Sequence, residues 1–248
     1  MSITSVLITG ANRGLGLEFV RQFLALPKPP VHIFASCRNT DKATELQAIA
    51  KKNSNVKVIK LDVKDVESFS SLRQQLELDL GDKGLNLLLN NAGILFRDSL
   101  EEVTKETMME NFEVNVVSPL LLTKELLPLL KTAASKSNEK KLSCSRAAVV
   151  NITSKMGSLD DNTSGGCYPY RTSKTALNMV SKSLSVDLKP HGILTFVIHP
   201  GWVLTDMGGK NALITPETSV GGMIDVIVNA KDDHCGNFFN YDGKKILW

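Results

Sequence analysis

Residues 9–16 read Thr9-Gly10-Ala11-Asn12-Arg13-Gly14-Leu15-Gly16, between an apolar β-branched run at 3–9 (ITSVLIT) and a stretch where Leu15, Phe19, Phe23 and Leu26 recur at helical spacing. The run predicts a buried strand and the recurrence a helix, stopped by Pro27, Pro29 and Pro30. Glycines between them let the backbone turn sharply and approach a ligand without a Cβ in the way. The helix that follows points unpaired N–H groups and the positive end of its dipole into the turn, which suits a pyrophosphate. The spacing is GxxxGxG rather than GxGxxG, and a glycine-rich turn with no ligand is the plainer reading.

Outward from that turn, strands and helices alternate. Strands are expected at 31–36, 56–61, 85–89, 147–153 and 194–199, with a last short one near Phe238. Helices are expected at 41–52, 66–80, 104–134 with a bend at Pro119 or Pro128, 170–188 and 216–229; the polar stretch 135–145 reads as a surface loop. Parallel strands need crossover connections, so the pattern predicts an α/β fold: a Rossmann-like, doubly wound parallel sheet in three αβα layers. Neither a repeat nor a low-complexity linker divides the chain, so residues 1–248 read as a single domain.

Composition narrows the function. Of 248 residues, 42% are hydrophobic and 22% charged, an ordinary globular balance. The net charge of +3 is too mild to argue for nucleic acid or an anionic membrane as partner. No apolar run approaches the ~18 residues of a membrane helix. Cys37, Cys144, Cys167 and Cys235 have no zinc or CxxC spacing, which fits free thiols in a reducing, cytoplasmic setting. His32, His191, His199 and His234 are scattered, so no metal site is expected; His199, before Pro200, can line a site or serve structure.

Further marks follow in order: Asn90-Asn91-Ala92-Gly93 after the fourth strand, Asn115 in the long helix, Ser154 after the fifth strand, Tyr170-x-x-x-Lys174, and Pro200-Gly201 after the sixth. With Thr-Gly-x-x-x-Gly-x-Gly, this series resembles the short-chain dehydrogenase/reductase superfamily in its single-domain branch, over residues 3 to about 229. Asn-Arg-Gly-Leu-Gly at 12–16, Asp-Asn-Thr-Ser-Gly at 161–165, and Pro-Gly-Trp-Val with Thr-Asp-Met-Gly-Gly at 205–209 resemble the sniffer and C-factor type of carbonyl reductase.

The resemblance implies a nicotinamide dinucleotide held by Gly10, Asn12, Arg13, Gly14, Leu15 and Gly16. In such folds the residue ending strand two meets the adenosine ribose, where a carboxylate favours NAD and an arginine the 2′-phosphate of NADP. Here Ser36-Cys37-Arg38-Asn39 has no carboxylate. Arg38, with Arg13 as a second cation, therefore favours NADP(H), although either can be a plain surface residue. Asp62 matches the residue that holds the adenine amino group, with Val63 beside it; Asp62 could instead cap the next helix, a role open to Asp65 too. Asn91, Ala92 and Gly93 would pass beneath the ribose, while Pro200, Gly201, Val203 and Thr205 would meet the nicotinamide end.

Reducing a carbonyl takes a hydride on carbon and a proton on oxygen, and the protein supplies the proton and the alignment. Tyr170 and Lys174, four apart on a helix, share one face. A tyrosine titrates near ~10, and a lysine ammonium and oxidised nicotinamide beside it are expected to lower that value. By resemblance Tyr170 is the general acid, Ser154 holds the substrate oxygen, Lys174 grips the nicotinamide ribose, and Asn115 anchors a water reaching Lys174. Asn115 could also bond backbone at a kink.

The expected activity is NADPH-dependent reduction of a small-molecule carbonyl: an aldehyde, ketone or quinone-like compound. The alternative is an NADP(H)-binding redox sensor with little turnover. Trp202, Met207, Leu213 and Ile214, with Leu95 and Leu159, form either an apolar pocket or plain core. Gly208 and Gly209 suggest a hinge in 202–216, and the polar stretch between Ser154 and Tyr170 suggests a flap. A homodimer through the 104 and 170 helices is expected from the resemblance.

Overall fold

The computed structural model describes residues 3–248. Its strands are β1 (Ser5–Ile8), β2 (His32–Cys37), β3 (Val56–Lys60), β4 (Leu87–Asn90), β5 (Ala148–Ile152), β6 (Leu194–His199) and β7 (Phe238–Asn240). They pair in parallel in the order β3-β2-β1-β4-β5-β6-β7. The helices are α1 (Gly14–Leu24), α2 (Thr44–Lys52), α3 (Phe69–Leu80), α4 (Lys105–Phe112), α5 (Ser118–Lys136), α6 (Tyr168–Leu188) and α7 (Pro216–Val228). The expected doubly wound α/β fold is present.

Successive strand residues point to opposite faces, and both faces of this sheet are covered, so its inner strands are buried and mostly apolar, with Ser5, Asn90, Asn151 and Thr195 among the buried polar exceptions. Val6 and Ile8 of β1 join one core with Phe19 and Phe23 of α1 and Met223 and Ile227 of α7. Leu7, between them, joins the opposite core with Leu72 and Leu76 of α3 and Leu122, Leu126 and Leu130 of α5. Each such side chain stabilises the fold by ~1.5–3 kcal/mol relative to exposure. β2 and β3 lie on one side of β1, and β4 to β7 on the other. The chain order thus reverses at β1 and β4, and their following loops part to leave a crevice.

Several boundaries differ from expectation. The helical region from 104 breaks at a π-helical turn, Glu113–Val117, rather than bending first at a proline. The Ser118 amide reaches back to the Glu113 carbonyl, and Ser118 Oγ donates to the same oxygen at 2.7 Å. Pro119, with no N–H to continue the ladder, follows at once, so the wider turn absorbs the defect before it. Pro128 lies inside α5. Helix α6 starts two residues before Tyr170, because Pro169 suits a first turn that needs no N–H. The expected surface loop at 135–145 is partly interior: α5 runs to Lys136, and Leu142 and Cys144 are buried in the core.

The capping alternative for the residues after β3 is not what forms. Asp65 stands before the short 3-10 turn Val66–Ser68 without a side-chain cap, and Asp62 Oδ1 accepts from the Lys64 amide at 3.0 Å. A cavity of about 360 Å³, lined in part by His32, Lys83 and Asn86, opens at the amino ends of the strands, away from the crevice. No helix among the described residues is long and apolar enough to cross a membrane.

Candidate active site

The first loop of the crevice is built around Thr9. Its Oγ accepts the amides of Asn91 and Ala92, both at 3.0 Å, so one hydroxyl fastens the turn after β4 to the end of β1. Asn91 Nδ2 returns a bond to the Thr9 carbonyl at 2.8 Å. Gly16 faces the Gly10 carbonyl and Asn91 so closely that a Cβ there would collide with the carbonyl and stand 2.7 Å from Asn91 Nδ2. Gly10 and Gly14 have φ of +67° and +53°, the left-handed region that a glycine enters without strain. Arg13 precedes α1 in extended conformation and gives no side-chain cap. The first amides of α1 therefore have no side-chain acceptor and suit a pyrophosphate.

Arg38 stands just past β2, exposed, with no ion pair among the described residues. Arg13 reaches across the crevice to Asp206 at 2.5 Å, a pair in which both side chains are exposed. Thr205, next to Asp206, lies against Gly14: a Cβ built there would sit 3.6 Å from Thr205 Cγ2. The segment bearing Thr205 thus folds back over the first helix of the crevice.

The second half of the site lies at the ends of β4 and β5 and the start of α6. Lys174, buried, donates from Nζ to the Ile152 carbonyl at 3.0 Å and lies 5.7 Å from the centre of the Tyr170 ring. Gly93 lies against both Asn115 and Lys174: its Cβ would be 3.1 Å from Asn115 Oδ1 and 3.6 Å from Lys174 Nζ. The Asn115 carboxamide is engaged on both sides, with Nδ2 donating to the Ile94 carbonyl at 2.9 Å and to Ser173 Oγ at 3.0 Å, while Oδ1 accepts from the Ile94 amide at 2.9 Å. It bonds backbone, but that of the facing loop rather than its own helix.

Ser154 is buried, and its Oγ accepts from the Met156 amide at 3.1 Å. Gly157, three residues on, lets this turn press against α6; a Cβ would stand 2.8 Å from the Lys174 carbonyl carbon. Burial raises the Tyr170 phenol to about 12, against the opposing pull of the Ser154 side chain and the Arg97 charge. The lowering expected from Lys174 is not what the protein alone produces. The Lys174 ammonium is itself pulled down to about 8 by burial. His199, after Ile198, is held neutral by burial at about 4, with a buried Nδ1 that has no partner among the described residues.

The segment 202–216 forms a compact flap. Val203 pairs with Ile214, the Leu204 amide donates to the Ile214 carbonyl at 2.9 Å, and Trp202 Nε1 donates to the Gly208 carbonyl at 2.8 Å. Gly201 has a φ of +83°, and a Cβ there would stand 2.6 Å from Ile214 Cδ1. Gly208 serves close packing rather than a hinge, since a Cβ would run into the Val203 carbonyl. Trp202 (49% exposed), Leu213 (78%) and Leu159 (73%) are not core. The stretch after Ser154 is tied down by Lys155–Asp161 at 2.8 Å and by Arg171, which donates to Ser164 and the Gly165 carbonyl.

Thr9, Ile94, Ser173, Arg97 and Asp206 escaped the sequence reading as site residues. Thr9 and Asp206 stood inside motifs; the others act through backbone groups or lone contacts that no spacing marks.

The family profile described as short chain dehydrogenase matches residues 4–213. The carbonyl reductase Sniffer of D. melanogaster superposes with a TM-score of 0.98 at 43% identity, covering 100% of both chains. The NADPH-bound carbonyl reductase from chicken fatty liver superposes at 0.95 with 42% identity, again over 100% of both. The C-signal protein of Myxococcus xanthus is 41% identical over 165 residues, 66% of this chain and 93% of its own. The chain belongs to the short-chain dehydrogenase family.

Proposed function

We propose that this protein reduces the carbonyl group of a small molecule, an aldehyde, ketone or quinone-like compound, at the expense of NADPH. NADPH supplies the hydride when bound. The uncapped amides at the start of α1 receive its pyrophosphate, Gly10 and Gly16 leave room for it, and unpaired Arg38 meets the 2′-phosphate, with Arg13 exchanging Asp206 for the same group. Asp62, Val63, Asn91, Ala92 and Gly93 border the adenosine side. Pro200, Gly201, Val203 and Thr205 border the nicotinamide side, and Lys174 keeps donors for the ribose hydroxyls.

Tyr170 carries the reading. A phenol held near 12 is fully protonated at neutral pH, so it can give its proton to the developing alkoxide. Ser154 holds that oxygen against it. Asn115 acts on the site by fixing Ile94 and hence Gly93 beside Lys174.

A homodimer is part of the same reading, supported by exposed apolar side chains on the helices concerned: Met109 of α4, Leu120 of α5, and Met179 and Val186 of α6. Light scattering should give twice the chain mass; a single-chain mass would remove the dimer and leave the chemistry standing.

Mixing the protein with NADPH and a panel of quinones and aldehydes, and following cofactor absorbance, tests the activity. Turnover on at least one carbonyl is expected. Tight NADPH binding without turnover on any would favour the redox-sensor alternative.

A further inference from the structure

The mouth of the crevice carries several cations, and some of them are already engaged. Arg13 pairs with Asp206 at 2.5 Å, Lys155 with Asp161 at 2.8 Å, and Arg171 satisfies Ser164 Oγ and the Gly165 and Met156 carbonyls. Arg97 has no carboxylate partner among the described residues. Its side-chain bond runs from Nη2 to the neutral Met207 carbonyl at 2.8 Å, and Asp98, next in the chain, forms no ion pair with it.

Its position gives this charge its interest. Arg97 is exposed on the loop after β4, four residues beyond Gly93, and bridges from that loop to the flap bearing Trp202 and Met207. It is also the cation whose field reaches the Tyr170 phenol from outside the motif. A guanidinium offers a planar fork of donors that matches a carboxylate in two parallel bonds, and a single carbonyl leaves most of that fork unused. Trp202 and Met207 supply apolar surface on the same rim.

We propose that Arg97 is a specificity-determining residue that reads a carboxylate on the substrate, so that the favoured substrates are apolar or aromatic aldehydes and ketones carrying a carboxylate group. The carboxylate replaces the Met207 carbonyl as the partner of the guanidinium, while the reacting carbonyl lies at Tyr170 and Ser154. This rests on the reductase reading above.

A near-isosteric pair of probes separates the two: 4-formylbenzoate and its methyl ester, each with saturating NADPH. The wild-type protein should favour the carboxylate in kcat/KM by about tenfold or more, the scale of one charge-assisted hydrogen bond. Arg97→Met should remove that preference with NADPH affinity close to wild type, any change that acts through the Tyr170 phenol falling on both probes alike, and Arg97→Lys should keep part of it. NADPH fluorescence titration checks that each variant is folded. Equal wild-type rates on the two probes, an equal fall for both in Arg97→Met, or turnover of other carbonyls but neither probe would each overturn the assignment of Arg97 while leaving the reductase standing. NADPH binding without reduction of any carbonyl would bring down the reductase reading, and this inference with it.

Discussion

Asn115 holds Ile94 by both of its backbone groups, taking the amide on Oδ1 and giving Nδ2 to the carbonyl, each at 2.9 Å. One side chain thereby joins the π-helical turn of the α4–α5 region to the loop that begins at Gly93. The wider turn, set just before Pro119, aims Asn115 at that loop. Asn115→Leu would strand both Ile94 groups and take one partner from the Ser173 hydroxyl, which still donates to the Tyr170 carbonyl. The expected cost is ~2–4 kcal/mol of stability, or a melting temperature lower by about 5–15 °C, together with loss of activity. Calorimetry of the variant checks this; an unchanged melting temperature would mean that the clamp is incidental.

Lys174 should leave a signature in stability against pH. Its folded pKa of about 8 lies below the ordinary lysine value of 10.5, so between these two pH values the unfolded chain holds a proton that the folded chain has lost. Folding is then favoured as pH rises through that window, by up to ~3 kcal/mol from this one group, and the cost of burying the charged form is borne below about 8. Tyr170, raised to about 12, works in the opposite direction but only above about 10. Urea unfolding of wild type and Lys174→Met at pH 8 and 10 should show wild type gaining on the variant. A constant difference would contradict the burial argument.

Gly16 is where a methyl group should hurt most in the glycine turn. Its Cβ would meet the Gly10 carbonyl and Asn91 Nδ2, both already committed to each other. Gly16→Ala should weaken NADPH binding by about tenfold or more and destabilise the fold by ~1–3 kcal/mol. Isothermal titration measures the first and denaturant unfolding the second.

Arg38 and Arg13 should separate in their effects. Arg38→Asp should cost NADPH affinity far more than NADH affinity, since a carboxylate repels the 2′-phosphate and suits a free hydroxyl. Arg13→Ala breaks only an exposed pair, so its effect on stability should stay below ~1 kcal/mol while NADPH affinity falls. Equal losses for both cofactors in Arg38→Asp would remove the NADP assignment.

How much of this was readable in the residues depended on whether a feature is local. The Thr9–Gly16 turn and the Tyr170–Lys174 spacing are local, and the order of apolar runs was enough to place them on β1, α1 and α6 of a parallel sheet. What failed to show was decided by distant partners. The π-helical turn at Glu113–Val117 depends on how Asn115 must face Ile94, and nothing in the 104–134 periodicity marks it. Arg13 looked like a free cation until the fold brought Asp206 beside it. Leu213 and Trp202 carry the same apolar character as core residues; only the flap's position shows that they face outward. The burial that raises Tyr170 in the protein alone was not readable, because the spacing showed the lysine but not the depth.

The most direct measurement is the turnover of Tyr170→Phe, which keeps the ring and removes only the proton donor. With NADPH affinity near wild type, carbonyl reduction should fall by about a hundredfold or more, the usual scale for a positioned general acid. Wild-type turnover from this variant would show that the proton comes from elsewhere.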